Sequence, residues 1–289
     1  MNKTQYSAFL YIAPIFMLCL IFLLYPLIYT FKISLYEWNG IDDAMTFIGL
    51  NNYMAMLKDP LFFKSLSNFI IFAVLVISIQ MMLGFLLAYM MRKGSGLFTL
   101  YKTLIFIPVI TTPVVVSYVF NHILAYNDGL INITLRSIGL SDLALSWMAN
   151  PDIALYTVIG VVVWMGTGFS MSVYVSALTS FSHEVLEASR IDGANKWQTI
   201  YRVVWPMLRD THYSLSIIGA ISALKIFDIV YLLTRGGPAH ATEMPSTYMF
   251  NKAFNTYEQG FASAIAGVII MIAILITMIQ LRLSRNTHS

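Results

Sequence analysis

Six apolar windows, about residues 8–30, 68–91, 103–124, 153–180, 213–233 and 261–283, constrain this chain more than anything else in it. A bilayer core about 30 Å thick takes roughly 20 apolar residues per helix, and every window reaches that length. Charged residues make up only 11% of the chain, against about 25% in soluble domains, too few to cover a water-facing surface. The fold this predicts is an all-α membrane protein, one domain over residues 1–289 with six transmembrane helices. The first window, AFLYIAPIFMLCLIFLLYPLIYT, is too long for the apolar core of a signal peptide and lacks a small-residue cleavage site, so it reads as a retained span.

Lysine and arginine set the expected orientation. With the N-terminus in the cytoplasm, the inner segments hold Lys3, Arg92, Lys93, Lys102, Arg190, Lys196, Arg202, Arg209, Arg282 and Arg285. The outer ones hold Lys32, Lys58, Lys64, Arg136, Arg235 and Lys252 over a longer total length. Both termini are therefore expected to be cytoplasmic. Among the outer loops, residues 31–67 mix aromatics, glycine and charge and are expected to form a small ordered cap. A net charge of +3 with no basic stripe gives no case for nucleic acid, and the single cysteine, Cys19, excludes an intrachain disulfide.

The longest polar interval with helical patterning, Ser182–Pro206, lies in a cytoplasmic loop over 181–209. It reads as two short helices. Ser182 caps the first and Asp192-Gly193 ends it. Asn195 opens the second with Gln198 as a capping-box partner, and Trp197, Ile200, Tyr201 and Val204 give it one apolar face. Glu184, Glu187 and Asp192 stand among bases and small residues. A membrane-surface helix would be mainly basic on its polar face, so this mixed ridge suits a groove on another protein.

Motifs for catalysis are weak. Gly96-Leu-Phe-Thr-Leu-Tyr-Lys102-Thr103 resembles a phosphate loop, but Tyr101 stands at the second glycine position. His183-Glu184-Val185-Leu186-Glu187 resembles a zinc helix with Glu in place of the second His, and a solvated helix turn is the plainer reading. Asn132-Ile133-Thr134 matches the glycosylation sequon by pattern. No nucleophile grouping is found, so the chain is expected to be no enzyme and to bind no metal or cofactor itself.

Two polar clusters lie inside the apolar windows. Lys225 and Asp228, at i and i+3, can pair on one face of span five, and intramembrane charges face a bundle interior or a water path. A structural ion pair and a substrate contact stand level for them. In span four, Trp164-Met165-Gly166-Thr167-Gly168-Phe169-Ser170 sets aromatics beside small polar groups, as a sugar site does, although close packing is the favoured reading from residues alone.

Glu187-Ala188-Ser189, Asp192-Gly193-Ala194 and Trp205-Pro206 resemble the EAA signature of permease subunits of binding-protein-dependent ABC importers, with Ser189 for the third alanine. Phe227-Asp228-Ile-Val-Tyr-Leu-Leu-Thr-Arg-Gly-Gly237-Pro238 and Phe47-Ile-Gly-Leu-Asn-Asn-Tyr53 are similar to segments of carbohydrate permeases of the maltose-transporter type. The resemblance implies a type I ABC importer permease fold in the bacterial cytoplasmic (inner) membrane. It also implies a second homologous permease, an ATPase dimer that holds ATP and magnesium, an extracytoplasmic solute-binding protein and a saccharide cargo. Glu184, Glu187, Ala188, Arg190, Asp192 and Gly193 would form the helix that couples to the ATPase. Alignment on the larger maltose permease subunit marks Met165, Gly166, Phe169, Gly219, Ala223 and Phe227 as substrate-path candidates, joined by Lys225 and Asp228. Polar contact positions of that relative are replaced here by Val162, Gly219 and Ala223, which leaves glycerol phosphate or an acidic saccharide as alternative cargoes. A membrane sensor or enzyme is the alternative of another class: the tail after Arg282 is too short for an output domain, and no catalytic cluster lies at an interface.

Overall fold

The structure, a computed structural model, describes residues 3–91, 98–181, 185, 187, 189 and 191–285. Four helical stretches are long and apolar enough to cross a bilayer: Tyr11–Ile33, Pro60–Met91, Ala154–Thr179 and Gln259–Gln280. The third and fifth windows are bent pairs, Phe98–Ile110 with Pro113–Ile123 at 99° and Arg209–Leu224 with Asp228–Thr234 at 49°. Six crossings are reached if each bent pair counts as one span.

The chain forms two compact units. The first comprises Met1–Phe63 and Tyr248–Ile272. It begins with α1 (Lys3–Cys19), a π-helical segment Leu20–Leu24 and α2 (Tyr25–Ile33). A small antiparallel pair follows, β1 (Tyr36–Glu37) and β2 (Thr46–Phe47), with Tyr36 opposite Phe47, and then α3 (Asn51–Met56). The Asn52 amide donates to the carbonyls of Ser34 at 2.8 Å and Tyr36 at 2.9 Å and fastens α3 to the pair. Met56, Phe62, Tyr248 and Ile265 are buried together as the apolar centre of this unit.

The second unit, Lys64–Thr247 with Ala273–Ser289, takes most of α4 (Pro60–Met91), then α5 (Phe98–Ile110), α6 (Pro113–Ile123), α7 (Leu130–Ser137) and α8 (Ala154–Thr179). After the polar loop come α9 (Lys196–Gln198), α10 (Trp205–Met207), α11 (Arg209–Leu224), α12 (Asp228–Thr234) and the start of α13 (Pro245–Phe250); the end of α14 (Gln259–Arg285) also belongs here. Phe69, Phe72 and Val76 of α4 pack on Val158 and Val161 of α8 and on Ile229 and Val230 of α12.

Each break has a local cause. Proline disfavours helical geometry at the residue before it. Thr112, extended at ψ 145°, precedes Pro113, and its hydroxyl accepts from the Val115 amide to cap α6. At the second break the Ile226 carbonyl takes the Ser246 hydroxyl as its donor. Lys225 therefore ends α11 while Asp228 opens α12. They do not share one helix face, and among the described residues they form no ion pair, which corrects the pairing expected from their spacing.

Asn132 is fully buried. Its amide donates to the carbonyls of Tyr126 and Leu145, both at 3.0 Å, and its Oδ1 accepts from the Trp147 indole at 2.9 Å. The sequon pattern thus falls on a side chain with no free amide to modify. Asn132→Ala leaves these buried partners unpaired, and at about 1–3 kcal/mol per orphaned group it should lower the melting temperature of the purified protein clearly. A melt unchanged from wild type would contradict this role.

Candidate functional site

The eight residues proposed from sequence for the substrate path, Met165, Gly166, Phe169, Gly219, Ala223, Lys225, Phe227 and Asp228, all line one cavity of about 350 Å³ within the second unit. Its walls come from α4 (Phe72, Val76, Gln80), from α8, and from α11 through the break into α12. Val109 and Pro113 close it at the other bent pair. Phe169 is 38% exposed and presents its ring to this space. Phe227 stacks on Tyr231 with ring centroids 5.1 Å apart. Ser170 and Ser222 add hydroxyls, and Lys225 and Asp228 add one charge of each sign.

Gly166 and Gly168 serve close approach rather than a kink, since α8 runs unbroken from Ala154 to Thr179. A Cβ on Gly168 would lie 2.3 Å from the Ile105 carbonyl oxygen of α5. One on Gly166 would lie 2.2 Å from Nε2 of Gln80, which donates to the Val162 carbonyl at 2.9 Å. Trp164 turns away from the cavity and packs edge-on against Phe120 at 5.3 Å. Gln80 was not among the residues singled out from the sequence. The signal for it was a carboxamide at the middle of the second apolar window.

The polar loop is built differently. Gly193 has a φ of +79° in the turn after the first short helix, a region open to glycine. Asn195 and Gln198 form the expected reciprocal cap, at 2.8 and 2.9 Å. The apolar face expected on the second helix is divided. Residues Thr199–Val204 wind as a π-helix, which shifts the register, so that Thr199, Val204 and Leu208 point inward while Trp197 and Tyr201 are 77% and 76% exposed. Glu187, Ile191, Asp192 and Gly193 are also exposed, and Ser189 is buried beside Thr199. Glu184, Ala188 and Arg190 lie outside the described residues.

A cluster of aromatic groups ties this loop to the helices of the cavity. The Trp205 carbonyl can only accept, so His212 Nε2 donates to it at 3.1 Å, and Nδ1 accepts from the Tyr174 hydroxyl at 2.7 Å. The rings of Trp205 and His212 lie 4.2 Å apart, and Phe85 meets Trp205 edge-on at 5.0 Å. Tyr174 is fully buried. Beyond the other end of α12, the buried Glu243 accepts from His240 Nδ1 at 2.9 Å and from the Thr247 hydroxyl at 2.5 Å. The Asn68 amide of α4 donates to the Glu243 and His240 carbonyls.

Broken apolar helices around a polar-edged cavity define a membrane transport component, and comparison with known proteins agrees. Residues 80–287 match the family described as binding-protein-dependent transport system inner membrane component, and the chain belongs to that family. It is 32% identical to the probable ABC transporter permease protein YurN of Bacillus subtilis, over 97% of both chains. It is 30% identical to the lactose transport system permease protein LacF of Rhizobium radiobacter, over 97% of this chain and 94% of that one. It is 28% identical to the trehalose/maltose transport system permease protein MalF of Thermococcus litoralis, over 96% and 93%. In fold it matches the crystal structure of a bacterial ABC transporter involved in import of the acidic polysaccharide alginate, with a TM-score of 0.85, 22% identity and coverage of 98% and 96%. The relatives are permease subunits of ABC transporters and not enzymes, and the chain is a permease in the same sense.

His212→Ala leaves the buried Tyr174 hydroxyl without its acceptor and should cost about 1–3 kcal/mol. Tyr174→Phe removes only the donor and should cost less. Melting temperatures of the purified variants check the order, and equal melts for both variants and wild type would contradict the linkage.

Proposed function

We propose that this chain is one of two permease subunits lining the path of an ATP-driven saccharide importer in the bacterial cytoplasmic membrane, with both termini in the cytoplasm. The observation that carries this reading is the convergence of Met165, Gly166, Phe169, Gly219, Ala223, Lys225, Phe227 and Asp228 on one cavity. Phe169 and Phe227 offer apolar faces to a sugar ring, and the polar groups between them suit its hydroxyls. An extracytoplasmic binding protein delivers the cargo, and a homologous permease supplies the rest of the path.

The exposed ridge of Glu187, Ile191, Asp192 and Gly193, with Trp197 and Tyr201 beside it, supports docking to a partner ATPase that holds ATP and magnesium. Glu184, Ala188 and Arg190 belong to the same proposed contact by sequence. Movement of that ridge reaches α8 and α11 through Trp205, His212 and Tyr174, and both helices wall the cavity. Nucleotide-driven closure of the ATPase dimer would therefore act on the cavity. Coupling follows if the binding protein prefers the outward-open state, because a ligand shifts an equilibrium only by its differential affinity.

Neutral oligosaccharide is the cargo this reading favours. The relatives named for lactose and trehalose/maltose point to it, and Lys225 and Asp228 offset each other, so the charged side chains of the lining sum to zero and give an anion no net attraction. A screen of neutral and acidic saccharides against the cognate binding protein tests this, with binding of neutral sugars expected; binding of glycerol phosphate or uronates alone would reverse the assignment.

Two variants separate path from coupling. Phe169→Ala should reduce uptake by the reconstituted complex severalfold with assembly intact, and unchanged kinetics would remove Phe169 from the path. Gly193→Asp puts a side chain on a left-handed turn residue and adds charge to the ridge. Recovery of the ATPase with the permease should fall, and wild-type recovery would count against the docking site.

A further inference from the structure

The geometry assigns Gln80 a further role, resting on the proposed saccharide path: it reads one hydroxyl group of the cargo as a fixed hydrogen-bond acceptor. The side chain is half-buried on α4 and lines the same cavity as the α11–α12 break. Its Nε2 donates to the Val162 carbonyl at 2.9 Å. That contact sets the amide's orientation, because a carbonyl oxygen cannot donate in return. Nε2 is held by α8, and Oε1 is left for the cavity. Among the described residues Oε1 has no hydrogen-bond partner, and it is not one of the sealed side-chain oxygens, which are Ser172 Oγ and Gln280 Oε1.

Gly166 makes this posture possible. A Cβ there would stand 2.2 Å from Nε2 and 2.8 Å from Cδ of Gln80. The glycine in α8 and the glutamine in α4 are thus one device, a notch and the amide seated in it. An amide whose rotation is stopped and whose acceptor is left open to a largely apolar cavity, with few competing polar groups, is preorganised for an O–H donor. It discriminates against a deoxy or O-methyl analogue, which offers no such donor. A free glutamine could rotate to serve either kind of partner, so the seat turns a permissive contact into a selective one.

The test uses the assembled transporter with its binding protein in proteoliposomes, with lactose and maltose as probes. Gln80→Leu should raise the KM of the transported sugar about tenfold, the worth of one hydrogen bond near the top of the usual range, with kcat within about twofold. Gly166→Ala, which unseats the amide without altering it, should produce the same split. The double variant should be no worse than either single one, since both remove the same contact. Additive losses, or an unchanged KM in Gln80→Leu, would overturn the assignment.

A second arm does not depend on the cargo. In a Cys19→Ser background, Gln80→Cys should react with a charged, water-borne methanethiosulfonate at a rate near that of Ser222→Cys, another cavity position. If Ser222→Cys reacts and Gln80→Cys does not, Gln80 lies off the water path and the inference falls. If Gln80→Cys reacts but the wild-type transporter takes up neither sugar, the neutral-disaccharide reading falls while Gln80 stays on the path.

Discussion

A carbonyl left open inside hydrocarbon costs several kcal/mol, and the cavity exists only because the break beneath it avoids that penalty. The chain stops being helical at Lys225–Phe227, and the Ser246 hydroxyl comes from a later segment to satisfy Ile226. Ser246 is placed in turn by neighbours that are themselves secured. Thr247 bonds to the buried Glu243 carboxylate, and Asn68 of α4 holds the backbone on either side of that turn. The interruption is a supported feature with its own small polar scaffold, and it brings two charged side chains to a cavity edge where a straight helix would have stacked them on one face.

The other end of the same helical pair is governed by aromatic packing. Trp205, His212, Tyr174 and Phe85 come from the polar loop, α11, α8 and α4, and they meet edge-on, or tilted in the case of Trp205 and His212, with two directed hydrogen bonds among them. Stiff rings in contact transmit displacement with little loss, because a close-packed interior has no slack to absorb it. The π-helical Thr199–Val204 segment shapes this end as well. It turns Val204 and Leu208 into the core and leaves Trp197 and Tyr201 outside, so one short stretch of chain provides both an anchor and an exposed apolar edge.

Much of this was legible in the residues. Apolar length located the four long helical stretches, the Asn195–Gln198 cap and the Asp192-Gly193 turn were readable from side-chain chemistry, and the residues aligned across the fourth and fifth windows do share a cavity. What was not legible needed long-range information. Spacing alone placed Lys225 beside Asp228, because periodicity cannot register a break whose partner, Ser246, lies 20 residues on. The same limit hid the π-turn that divides the apolar face of the second short helix. Pro113 did announce the first break, yet an apolar window of the right length masked a bend of 99°. Gln80 escaped notice because its meaning depends on a glycine 86 positions later, and Glu243 because a lone acid in a loop looks solvated until its partners are in view.

The scaffold beneath the break is made of backbone and of side chains that point away from the cavity: Ser246, Asn68, Glu243 and Thr247. None of these four is among the residues that line it. Substitution at Gln80, Gly219 or Ala223 can therefore reshape the chamber without loosening the hinge that creates it. Divergence in what such proteins carry can then proceed one wall residue at a time, on architecture that stays put.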